Sequence, residues 1–227
     1  MYHRTNNLYG FGMLNKASFS ETGDGDFIIQ KITRNDYYYQ NTYIIIDVKS
    51  SRQFVIDPGD NGEEIEAIIR SNKVDLSAIL FTHGHFDHIG AAHYLSEKFG
   101  VPCYIHENDL RLVKKAPNYA LLFEQKVIKA PVRLTSFIKE IEEIPLKILH
   151  TPGHTDGSCC FILGNSIFTG DTLLLNETGR TDLPGGSEEK LKESLSLLSS
   201  VSNESTIIYP GHGEIFNFTE IKRIITK

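Results

Sequence analysis

Three cysteines among 227 residues are too few for a disulfide framework. Cys103 stands alone, whereas Cys159 and Cys160 are neighbours, which on a strand point to opposite faces. All three are expected to be reduced core residues. Basic residues are also scarce: 23 Lys and Arg face 29 Asp and Glu, for a net charge of −6. That balance argues against a nucleic-acid partner, which would demand a basic groove. No apolar run approaches the roughly 20 residues of a membrane-spanning helix, so no membrane partner is expected. Met1 to Ala17 lack a continuous apolar core, so no secretory signal is read there, and the cytoplasm is the expected location. What remains is an ordinary globular composition, 40% hydrophobic and 23% charged, at a length that suits one domain.

The segment Met1–Asp26 is polar, and reads either as a disordered lead-in or as a strand at a sheet edge. The domain proper is expected over 27–227. Phe27–Ile32, Asn41–Val48 and Gln53–Ile56 are β-branched runs, the last two forming a hairpin. Gly62–Arg70 places Ile65, Ile68 and Ile69 on one helical face. Ala78–Phe81 is a strand, and Ala91, Ala92, Leu95 and Phe99 mark a helix from Ile89 that Gly100 ends. Pro102–His106 is a short strand, with Asn108 capping a helix over Leu110–Lys115. Ala116–Pro131 reads as a helical insertion or a loop over the site. Strands are expected at Phe137–Ile141, Leu146–His150, Cys159–Leu163, Ser166–Thr169 and Thr206–Tyr209. A helix over Glu188–Leu198 has Ser187 as its cap, and Thr219 is expected to cap a last short helix. Strands alternating with helices in both halves indicate an α/β or layered αββα architecture.

The chemistry gathers at strand ends. Thr82-His83-Gly84-His85-Phe86-Asp87-His88 follows the Ala78–Phe81 run and puts three imidazoles and a carboxylate within six residues. These are ligands that a borderline cation such as Zn²⁺ accepts. Four further strands end in a residue of the same kind: Asp57, His154, Asp171 and His212. The glycines beside His154, Asp171 and His212 permit tight turns and close backbone approach.

Taken in order, His83-x-His85-x-Asp87-His88, His154, Asp171 and His212 resemble the metallo-β-lactamase superfamily, over about Asn41 to Gly213. Asn41-Thr42-Tyr43, Asp57-Pro58-Gly59, His150-Thr151-Pro152-Gly153-His154-Thr155 and Phe168-Thr169-Gly170-Asp171-Thr172 resemble its glyoxalase II (hydroxyacylglutathione hydrolase) branch. Gly179-Arg180-Thr181-Asp182-Leu183-Pro184-Gly185-Gly186 resembles the small single-domain members of that branch. About fourteen residues follow Gly213, too few for the C-terminal helical substrate domain of full-length relatives.

The resemblance implies a four-layer αββα sandwich with a metal site at one edge of its two sheets. It implies two divalent ions, zinc first, with iron or manganese as alternatives. His83, His85 and His154 would hold one ion, and Asp87, His88 and His212 the other. Asp171 would bridge them, so Asp87 and Asp171 are the expected catalytic carboxylates. Asp57 would orient a ligand histidine, and Arg180 would bind a substrate carboxylate through its planar fork. The implied reaction is hydrolysis of a small-molecule thioester of the S-lactoylglutathione type by a hydroxide shared between the ions. Persulfide dioxygenases share the fold and resemble a one-iron version built on His83, His154 and Asp171; hydrolysis of another small ester or thioester is a further alternative. A nuclease would need an added domain for which the chain has no room. A degenerate binding module would be expected to have lost ligands, and all seven are kept.

Overall fold

The structure is a computed structural model that describes residues 18–34, 38–137, 141 and 144–221. One sheet has seven strands in sequence order: β1 (Ser18–Asp24), β2 (Phe27–Thr33), β3 (Asn41–Asp47), β4 (Arg52–Ile56), β5 (Asp75–Leu80), β6 (Cys103–His106) and β7 (Leu134–Phe137). The other follows the order β12-β11-β10-β9-β8, with β8 (Lys147–His150), β9 (Cys159–Leu163), β10 (Ser166–Gly170), β11 (Ile207–Pro210) and β12 (Phe216–Asn217). The helices are α1 (Gly62–Ser71), α2 (Phe86–Ile89), α3 (Ala92–Phe99), α4 (Leu110–Glu124) and α5 (Glu188–Val201).

Strand periodicity sorts the side chains into four layers. Tyr43, Ile45, Phe54, Ile56, Ala78 and Leu80 face Cys159, Phe161, Phe168 and Tyr209 between the two sheets. The alternate residues Ile44, Ile46, Val55 and Ile79 turn outward onto Ile65, Ile69, Ala92, Leu95, Val113 and Ala116 of α1, α3 and α4. Behind the second sheet, Cys160, Ile167 and Ile208 pack on Leu191, Leu195 and Leu198 of α5. Cys159 and Cys160 therefore enter different cores, and all three cysteines are buried and free. This is the expected αββα sandwich.

Topology brings the strand ends together. β4, β5, β6 and β7 pair in parallel, and each parallel step needs a crossover, supplied by α1, by α2 with α3, and by α4. In the second sheet β9 is antiparallel to both β8 and β10, while β11 is parallel to β10. The carboxyl ends of β8, β10 and β11 thus share one edge, where open α/β sheets bind ligands.

Several local expectations need correction. The edge-strand reading of the N-terminal segment holds for Ser18–Asp24, paired with β2 along its whole length; residues 1–17 lie outside the described residues. Helix begins already at Phe86, so Asp87 and His88 sit on α2 rather than in a loop. Asn108 is not a helix cap: the His106 side chain accepts from its amide, and its own amide donates to the Asp156 carbonyl. Helix α4 runs through Pro117 to Glu124. A proline inside a helix costs about 3 kcal/mol, outweighed here by a buried face of Val113, Ala116 and Ala120. Beyond β11 a short strand, Phe216–Asn217, was unforeseen, and the Asn217 side chain rather than Thr219 caps the turn after it. Of the strand expected at Phe137–Ile141, only Phe137 belongs to β7, which starts earlier at Leu134, and Ile141 is not in a strand; residues 138–140 and the end of the expected last helix lie outside the described residues. Among the described residues no helix is long and apolar enough to cross a membrane.

Candidate metal centre

All seven expected ligands meet at the shared edge. In one cluster, Nδ1 of His85 lies 3.1 Å from His83 Nε2 and 2.9 Å from His154 Nε2. In a second, His88 Nε2 lies 3.1 Å from His212 Nε2, and Asp87 Oδ2 is 3.3 Å from His212 Nε2 and 3.7 Å from His88 Nε2. Asp171 sits between the clusters: its Oδ1 is 3.4 Å from His88 Nε2, and its Oδ2 is 3.5 Å from both His154 Nε2 and His212 Nε2.

Partners on the far side of each ring fix which nitrogen is bare. Thr82 Oγ1 spends its proton on Asp57 Oδ2, so at 3.0 Å it must accept from His83 Nδ1. His88 Nδ1 donates to Asp57 Oδ2 at 3.0 Å. His154 Nδ1 donates to the Arg180 carbonyl at 2.8 Å and His212 Nδ1 to the Tyr38 carbonyl at 2.6 Å. Each neutral ring then aims the lone pair of its Nε2 inward, and His85 aims its Nδ1. Lone pairs about 3 Å apart repel unless a cation or a proton lies between them. Asp171 Oδ1 is buried without a hydrogen-bond partner. These donors and this orphaned oxygen fit a pair of cations, and the groups His83/His85/His154 and Asp87/His88/His212 each have metal-binding spacing.

The two clusters differ electrostatically. Burial, then the neighbouring His88, hold His83 well below the ordinary histidine range. Burial and His154 take His85 down to about 3. Burial opposes charge on His88 as well, yet Asp171 and Asp87 overcome it and raise its pKa to about 10. His212 is raised to about 11 by the same carboxylates, chiefly Asp171, against its burial. In turn, against the upward push of burial, His88 and His212 hold Asp87 and Asp171 well below the carboxylate range. Without metal, His88 and His212 therefore keep protons that His83 and His85 do not.

Backbone geometry serves these contacts. Asp57 follows β4 at φ 50°, a left-handed conformation that costs a non-glycine residue about 1–3 kcal/mol. In return its carboxylate reaches the Thr82 amide at 2.7 Å, as well as His88. Gly211 has no room for a side chain, since a Cβ would lie 2.4 Å from Asp171 Oδ1.

A cleft of about 470 Å³ opens over the clusters. Arg180 lines it, but Arg180 Nε and Nη2 each donate at 2.7 Å to the two oxygens of Asp182, an exposed fork-on-fork pair. The observed tie of Arg180 to the clusters is its backbone carbonyl on His154.

Asp109 escaped the sequence reading. Its buried carboxylate accepts from the Gly84 amide at 2.9 Å, the Thr155 hydroxyl at 2.8 Å and the Gly157 amide at 2.8 Å. It thus ties the loop of His83 and His85 to the loop of His154. Burial pushes its carboxyl up against the pull of those three donors. A carboxylate shortly after a strand was the available signal, and the neighbouring Asn108 masked it. The carbonyls of Tyr38 and Arg180 carry no such signal, because every residue has one.

With this geometry in view, the metallo-beta-lactamase superfamily model matches residues 36–212. The chain belongs to that superfamily and is a metal-dependent hydrolase of it. It is 37% identical over 190 residues to the probable metallo-hydrolase MJ0888 of Methanocaldococcus jannaschii, covering 78% of this chain and 89% of that one. It is 36% identical over 194 residues to hydroxyacylglutathione hydrolase GloC of Haemophilus influenzae, covering 82% and 91%. The solved structure of TTHA1623 in a di-iron-bound form is similar at a TM-score of 0.78 and 32% identity, over 85% of this chain and 96% of that one.

Proposed function

We propose that the protein hydrolyses a small-molecule thioester of the S-lactoylglutathione type in the cytoplasm, with two divalent ions, zinc first, in its strand-end clusters. His83, His85 and His154 would hold one ion and Asp87, His88 and His212 the other, with Asp171 placed between the two groups. The observation that carries this reading is Asp171, one carboxylate set between two three-ligand groups. The similarity to GloC supports the thioester, and the di-iron form of TTHA1623 supports two ions. Bound ions at such a site supply Lewis acidity and bring the pKa of water to about 7.

The chain's own residues do the rest. Asp57, Thr82 and the carbonyls of Tyr38 and Arg180 hold four rings in one tautomer, so no ring must reorient during turnover. Asp87 and Asp171 supply two negative charges that offset the ions and stay ionised at neutral pH. The Arg180 fork binds a carboxylate on the thiol part of the substrate in exchange for Asp182. Water adds to the thioester carbon and the C–S bond breaks; a carboxylate and a thiolate leave, and of water's two protons one ends on the thiolate sulfur and the other passes to solvent. A thiolate departs without help from an acid, so no general-acid side chain is required.

The test is an assay of purified protein against S-lactoylglutathione with oxygen excluded, and metal analysis of the same sample. Hydrolysis with about two ions per chain is expected. One iron per chain, and consumption of oxygen with a persulfide instead, would replace this reading with the dioxygenase.

A further inference from the structure

The two sides of the cleft differ. The segment that carries Arg180 lines the cleft with Thr178, Gly179 and the exposed Glu177 as well as Leu174, Leu183 and Pro184; Arg180 is the single Lys or Arg among the lining residues, and Asp182 already holds it. The facing side is apolar, built from Phe86 of α2 and from Leu112, Tyr119 and Phe123 of α4. The Phe86 and Phe123 rings lie 6.3 Å apart at 15°, and those of Tyr119 and Phe123 6.2 Å apart at 23°. They form a near-parallel aromatic strip ending beside Asp87. Its central member, Phe123, is 58% exposed. Val113, Ala116 and Ala120 of the same helix pack into the core, and Phe86 packs against that core as well, but core packing does not account for the exposed ring of Phe123.

We propose that this strip is the acyl subsite, and that it selects a bulky apolar acyl group, aryl above all, over the small hydroxylated lactoyl group. The inference rests on the thioester reading and deepens it. With the carboxylate of the thiol part on Arg180, the scissile carbonyl lies over the clusters and the acyl group extends to the facing side. There a flat apolar group covers aromatic surface otherwise left in water. A lactoyl group would bring a hydroxyl to a side whose one hydroxyl group is that of Tyr119.

The test compares glutathione thioesters carrying lactoyl, acetyl and phenylacetyl groups on the metal-loaded enzyme, then phenylacetyl thioesters of glutathione and of a small neutral thiol. The expected phenylacetyl-to-lactoyl ratio of kcat/KM is roughly tenfold or more. Phe123→Ala should lower that ratio several-fold. Leu122→Ala, exposed on the same helix and outside the cleft, should leave it as in wild type. Equal rates across the acyl series would overturn the subsite while leaving thioester hydrolysis standing, and so would a preference that follows the thiol alone. If no thioester is cleaved, the function proposed above fails instead. The strip is then judged by calorimetry, where tighter binding of phenylacetate than of acetate, lost in Phe123→Ala, supports it and equal binding overturns it.

Discussion

Removal of the Asp109 carboxylate should weaken the fold and one metal cluster more than the other. Asp109→Ala leaves the amides of Gly84 and Gly157 buried without acceptors. Each unpaired buried donor costs about 1–3 kcal/mol. The Thr155 hydroxyl is discounted, because Ser158 Oγ lies 2.7 Å away and can take it. The expected loss is therefore about 2–6 kcal/mol, against a typical total of about 5–15 kcal/mol. Asp109→Asn should be milder. An amide oxygen in place of Oδ2 keeps Gly84 and Thr155, while the NH₂ group faces the Gly157 amide. The assay is urea denaturation of metal-free protein, followed by metal titration. Affinity at the His83/His85/His154 cluster should fall roughly 10–100-fold, the usual effect of removing an outer partner of a metal site. The Asp87/His88/His212 cluster, held by Asp57 and Tyr38, should change less. A stability loss under about 1 kcal/mol, less than a single orphaned donor costs, would refute the reasoning, as would equal weakening of both clusters.

Gly211→Ala should displace Asp171, since its Cβ would meet Oδ1 at 2.4 Å and His88 Cε1 at 2.7 Å; metal analysis should find fewer ions per chain, at a stability cost of about 1–3 kcal/mol. Arg180→Ala should raise KM, keep kcat and metal content, and leave the melting temperature unchanged, because the carbonyl on His154 survives the substitution; a collapsed kcat at constant KM would contradict this. Filling the second cluster should release protons, because His88 and His212 are raised to about 10 and 11 without metal. Their Nε2 atoms lie 3.1 Å apart, too close for two protons between them, so the pair titrates jointly and at least one proton should leave at pH 7.5. His83 and His85 of the first cluster, already neutral, should release none, and calorimetry in buffers of different ionisation enthalpy measures both. The sign for the metal-free fold follows: raised histidine pKa values stabilise it fully below the unfolded value of about 6.5. That contribution fades as pH climbs toward 10, and a metal-free fold that gained stability over that range would contradict it.

How much of this was legible in the sequence depended on what carried each contact. Apolar periodicity gave the β3–β4 hairpin, α1, α5 and the β9–β10 hairpin, because burial on one face leaves a repeat. Motif spacing picked out the seven side chains that meet at the strand ends, because a metal site needs particular residue types. Asp57 was legible for the same reason, and it does hold His88. Helix α4 was half legible: Pro117 reads as a break, and only tertiary packing of Val113, Ala116 and Ala120 overrides it. The start of α2 at Phe86 was hidden because the metal motif occupies the first turn. Asp109 shows where reading by residue type runs out, since its role is defined by three donors that lie one strand and two loops away. Arg180 shows the same from the other side: its charge drew attention, while its carbonyl makes the contact with His154.

The outer partners also make the clusters unequal in a way that the ligand list alone does not. His88 donates to a carboxylate, Asp57, which makes its Nε2 a more basic donor to a cation. The first cluster leans on neutral acceptors, a hydroxyl for His83 and a carbonyl for His154. Two of its histidines, His83 and His85, are neutral without metal, so neither has to lose a proton before a cation enters. The second cluster holds the more basic nitrogens, but protons occupy them first. At neutral pH the first cluster is therefore ready for a cation, while the second binds against proton competition that eases as pH rises. A titration at pH 6.5 with a limiting supply of zinc should fill the His83/His85/His154 cluster first, and at pH 8.5 the two should fill closer together. Zinc-dependent chemical shifts of the His85 and His212 rings report the two separately. Filling of His212 first at the lower pH would show that ligand basicity, not proton competition, sets the order.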